Sequence, residues 1–166
     1  MPSYFNFTIG NLEIFLVKFI VMSTFRYRPN GTYVFDANWQ DLYVLTEHWK
    51  SDLLFYKDDL RFLNNLINKY IIWVSKKENI KQVKKIEISL DKTEKICEEL
   101  LEKVKLHLSH LAGLIDNPFK YDSHTFRTEH QILEDKLADF VKLFRKTRKE
   151  TFMVTEHIIE SEQLTN

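Results

Sequence analysis

Glycine and proline are almost missing from this chain, and where they fall decides what it can build. The three glycines are Gly10, Gly31 and Gly113, and the three prolines are Pro2, Pro29 and Pro118. Neither residue interrupts positions 32–112, and neither recurs after Pro118. Inside a helix Gly costs ~1 and Pro ~3 kcal/mol relative to Ala. The two uninterrupted stretches therefore permit long helices, while a sandwich or barrel would need many more turn formers.

Apolar periodicity then selects the helix. In the first stretch Trp39, Thr46, Leu53, Leu60, Ile67 and Val74 fall at heptad position a, and Leu42, Trp49, Tyr56, Leu63 and Tyr70 at d. Only Thr46 is neither apolar nor aromatic. A 3-4 spacing held this long is the pattern of a coiled coil or helical bundle. Asp36 and Asn38 are the candidate N-caps. The polar run 75–79 carries no large apolar side chain and reads as a turn, with a continuous helix as the alternative. A second seam follows, with Val83, Leu90, Cys97, Val104 and Leu111 at a, and Ile86, Thr93, Leu100, His107 and Leu114 at d. Pro118 ends it, because the residue before a proline avoids the α region. A third seam places Phe126, Leu133, Phe140, Thr147 and Val154 at d, and His130, Leu137, Phe144, Thr151 and Ile158 at a. The polar tail from Ser161 is expected to fray.

The fold class expected is all-α: an antiparallel up-down-up bundle of three long coiled-coil-like helices over about 36–75, 79–115 and 122–162, each ~55–60 Å long. Short connections place sequential helices antiparallel. Residues 1–35 form a separate N-terminal extension. Phe25, Tyr27, Tyr33 and Phe35 alternate around Arg28–Pro29–Asn30–Gly31 in a hairpin-like pattern. The apolar run from Leu12 to Phe25 contains Glu13 and Lys18 and is too short for a membrane span, which needs ~20 apolar residues. Met22 opens a stretch that reads as a natural start, so residues 1–21 are expected to be a mis-assigned extension.

Composition excludes several classes. Apolar residues make up 44% and aromatics 14% of the chain, too much for disorder. Lys+Arg and Asp+Glu are both 24, which argues against a nucleic-acid binder. The single cysteine, Cys97, excludes an internal disulfide framework and a cysteine-based zinc cluster.

Candidate sites follow from the antiparallel register. With turns centred near residues 77 and 119, His107 pairs with positions near 48 and 131. His48, His107 and His130 then share one level, beside Thr46 and Trp49. Asp52 and Glu134 follow His48 and His130 by four residues, on the same helix faces. Bundle cores do hold metals between such groups, so His48, Asp52, His107, His130 and Glu134 are the candidate ligands. The Glu-x-x-His pair of di-iron bundles is absent, and the plainer reading is a buried polar layer with His107 hydrogen-bonded to His130. Thr93, Thr147 and Thr151 form a second such layer. The basic run 145–149 lies opposite a segment with Glu87, Asp91, Glu94 and Glu98, which neutralises it. Lys76, Lys77, Lys81, Lys84 and Lys85 have less compensation.

One more feature stands out on helix one. Phe55 and Phe62 at c, with Leu66 and Trp73 at g, widen its apolar face to about half the circumference, beyond the ~100° of an ordinary surface helix. Large apolar patches mark interfaces. No phosphate loop, nucleophile elbow or zinc signature occurs. The expectation is a cytoplasmic, non-enzymatic protein needing no cofactor, acting through a homo-oligomer or another helical protein. A metal- or cofactor-binding bundle is the alternative.

Overall fold

The computed structural model describes residues 32–72 and 74–163. The expectations for the Leu12–Phe25 run, for a start at Met22 and for Trp73 lie outside these residues. Four helices pack together: α1 (Tyr33–Asp36), α2 (Trp39–Ile71), α3 (Lys77–Asp116) and α4 (Ser123–Gln163). No strand occurs among the described residues.

The three long helices stand where the heptads place them, and their seams are the core. Leu53, Leu60, Leu63 and Ile67 of α2, Leu90, Val104, Leu111 and Leu114 of α3, and Phe140, Phe144 and Ile158 of α4 are buried. Contacts run in opposite directions along neighbours. Lys57 meets Glu98 and Asn64 meets Glu94 between α2 and α3. Asn79 meets Ser161, Thr93 meets Thr147 and His107 meets His130 between α3 and α4. Both pairs are thus antiparallel.

Asn38 caps α2: its side-chain oxygen accepts the Asp41 N–H at 2.8 Å. Asp122 does the same for α4, accepting the Thr125 N–H at 2.7 Å. Pro118 interrupts the chain after α3 as expected.

Three details differ from the sequence reading. The hairpin arm expected at Tyr33 and Phe35 is one turn of helix, α1. Its residue Val34 is buried, and the Arg127 guanidinium of α4 donates to the Val34 and Ala37 carbonyls. That guanidinium also lies 4.2 Å from the Trp39 ring centroid. A helical turn can aim these carbonyls at one donor, and an alternating strand cannot. Second, α3 begins at Lys77, inside the expected turn. Third, α4 stays helical through Gln163, past the start of the expected fraying.

One group accounts for the last two differences. The Glu162 carboxylate accepts from the Ser75 hydroxyl at 2.8 Å, from the Asn79 amide at 2.8 Å and from the Lys76 N–H at 3.3 Å. Lys76, the residue capping α3, offers no side-chain cap of its own. A carboxylate from α4 therefore satisfies exposed N–H groups at the start of α3, where the helix dipole also favours negative charge.

Candidate functional site

Two of the five candidate ligands meet. His107 on α3 and His130 on α4 are both buried, with His107 Nε2 and His130 Nδ1 2.9 Å apart. One imidazole donates its N–H and the other accepts. The His107 ring stacks on Phe126 at 4.4 Å and 9°, and the His130 ring lies 4.7 Å from Trp49. Aromatic walls thus flank both rings. Burial pulls the His107 imidazole down to about 4, and the nearby His110 adds to that in the same direction. Thr46 shares the core but turns to its own helix, donating to the Leu42 carbonyl at 2.7 Å.

The remaining candidates stand elsewhere. His48 and Asp52 are exposed on α2, and Glu134 is half-buried on α4. Partial desolvation raises the Asp52 carboxyl, against the pull of His48. Among the described residues, no group of three or more His, Cys, Asp and Glu side chains is placed to hold a metal ion. Position c turns His48 away from the seam that gathers the two buried histidines. What remains is a hydrogen-bonded imidazole pair: it can share or take up a proton, and it fixes the depth at which α3 meets α4.

The threonine layer forms as expected. Thr93 and Thr147 hydroxyls are 3.1 Å apart, Ser89 joins at 3.3 Å from Thr147, and Thr151 donates to the Thr147 carbonyl at 2.8 Å. Cys97 is buried beside it in sequence, its thiol donating to the Leu53 carbonyl at 3.5 Å. Burial pushes that thiol up to about 12, so little thiolate is available as a nucleophile.

Within the basic run 145–149, Arg148 and Lys146 meet acids other than those expected. Arg148 turns inward to Asp59 of α2, at 3.9 Å, and Lys146 faces Glu150 on its own helix. Glu98 takes Lys57, Glu94 takes Asn64 and Asp91 takes Lys95. Asp59 is buried, and desolvation raises its carboxyl to about 6 despite the opposing pull of Arg148. Reading the sequence missed this pair and the Glu162 clamp. The only advance signal for the first was a charge beside the seam on each helix.

On α2, Phe55 and Phe62 are 38% and 39% exposed and Leu66 is half-buried. Val44, which sequence analysis did not single out, is 55% exposed. The spacings from Val44 to Phe55 to Phe62 are close to whole helical turns, so the three share one line along the helix. No described helix is long and apolar enough to cross a membrane. Comparison with protein-family models, curated proteins and solved structures finds no match to the chain.

Proposed function

We propose that the chain is a non-catalytic, cytoplasmic interaction protein. In this reading an up-down-up bundle of three long helices, with α1 appended, associates with a second copy of itself through α2. The observation that carries it is the alignment of Val44, Phe55 and Phe62 on α2, three apolar side chains that are each partly exposed on one helix face. Single exposed hydrophobics are ordinary, whereas several aligned on one helix face point to an interface. Burying aromatic side chains at the centre of such a contact supplies much of its affinity. The buried histidines and threonines fit the same reading, since they hydrogen-bond across helices or to carbonyls of their own helix.

Sedimentation equilibrium on the full chain tests it. The expected result is a dimer that Phe62→Glu weakens at least about tenfold, with helicity unchanged because position c lies off the seam. A strict monomer at high micromolar concentration refutes self-association.

A further inference from the structure

The first half of α3 turns a cationic row to solvent. Lys77, Lys81, Lys84, Lys92 and Lys95 follow one another at helical spacing, and Ile88 fills the one remaining place in the series. Residues three or four apart lie on one face, so the six side chains form a single line ~27 Å long. All six are exposed, Ile88 to 71%. Lys85 and Ile80 flank the line, and both are exposed.

Acids do border this row, Asp91 beside Ile88 and Lys95, and Glu99 one turn past Lys95, but lysines outnumber them along it. Elsewhere on the surface several cations are matched: Lys50 with Glu47, Lys57 with Glu98, Arg61 with Asp58, Lys105 with Glu102 and Lys142 with Asp139. On the row only Lys95 is matched, by Asp91 at 2.8 Å. Lys77, Lys81, Lys84, Lys85 and Lys92 make no ion pair among the described residues. The whole chain has zero formal charge, so this excess is a local feature of one helix face.

The side-chain types choose between polyanions. Lysine is a compact point charge without the planar fork that reads guanine or clamps a phosphate. The row holds no Arg, Asn, Gln or aromatic side chain that could read or stack on a base. It does hold a branched aliphatic side chain at its centre, which gains by leaving water at the boundary between headgroups and acyl chains and gains nothing on a sugar–phosphate backbone. Lysines flanking an exposed aliphatic group on one straight face match an anionic phospholipid surface. We propose that the outward face of α3, from Lys77 to Lys95, docks on an anionic phospholipid bilayer.

Vesicle co-sedimentation with the full chain tests this. The probes are phosphatidylcholine vesicles with and without about 30% phosphatidylserine. Binding is expected only with the anionic lipid, and raising the salt should abolish it by screening. The double variant K81E/K84E should weaken binding at least about tenfold. Ile88→Ser should weaken it several-fold while leaving its salt dependence unchanged. All these positions are exposed, and far-UV circular dichroism confirms that each variant is folded. Equal binding to both vesicle types, no binding at low salt, or binding that K81E/K84E leaves intact overturns the proposal. Tighter retention on duplex DNA than on anionic vesicles overturns it as well.

Discussion

Two neutral imidazoles 2.9 Å apart form one hydrogen bond, and charging both would set two donors face to face. The cost of protonation in this layer comes first from desolvation, which brings His107 to about 4. The folded value lies below the unfolded ~6.5. Above the unfolded value there is no proton-linked penalty. As pH falls below it, the unfolded chain binds more protons and the fold loses stability, by about 2 kcal/mol between pH 8 and pH 5 from His107 alone. Replacing both His107 and His130 by Leu should therefore raise stability at pH 5 more than at pH 8 in urea unfolding. Equal effects at the two pH values would show that the pair is not buried neutral. The meeting of these two side chains was legible in the sequence, because both occupy seam positions at matching depth. The place of Asp59 was not. Asp52 and Asp59 hold the same heptad position, yet the first is exposed and the second buried. What separates them is Arg148 on α4 opposite Asp59, a contact between positions beside the seam that periodicity along one helix does not encode.

At the scale of elements, heptads located the three long helices within a few residues but misjudged their ends. The seam is a repeating signal with many apolar positions, so its statement is redundant. An end rests on one or two polar groups, and here the deciding group comes from another helix. Glu162 lies 83 residues beyond Asn79, yet its carboxylate organises the α2–α3 turn. The Ser75 hydroxyl, then the Asn79 amide, hold that carboxyl below its ordinary value. A depressed carboxyl contributes stability above its unfolded pKa, and the contribution is lost as pH falls through the folded value. Glu162→Ala should leave the N–H groups of Ser75 and Lys76 without this acceptor. Amide hydrogen exchange at Ser75–Asn79 and in the last turn of α4 should quicken together, while the core of α3 stays protected. Unchanged exchange at both ends would remove Glu162 from this role.

Across the whole molecule, two buried titrating groups push stability in opposite directions over the same pH range. Burial raises Asp59 to about 6, above the ordinary 3.8. The unfolded chain therefore releases this proton first as pH rises, and the fold is penalised increasingly from pH 4 until Asp59 itself ionises. His107 penalises the fold on the way down, between 6.5 and about 4. Each changes stability by roughly 2 to 3 kcal/mol between pH 7 and pH 4, with opposite sign. The two slopes oppose each other, while Glu162 and Asp122, both held below their ordinary values, add a loss of stability as pH falls through the carboxylate range. Asp59→Asn removes one of the two slopes. It also removes the carboxylate facing Arg148, but a guanidinium stays charged throughout, so that loss moves the level of the curve and not its slope. From pH 7 to pH 4 the stability of the variant should fall more than that of the parent chain, by about 2 to 3 kcal/mol. Chemical denaturation at several pH values reads this directly, and parallel curves for the two proteins would mean that Asp59 ionises in the fold as it does in the unfolded chain.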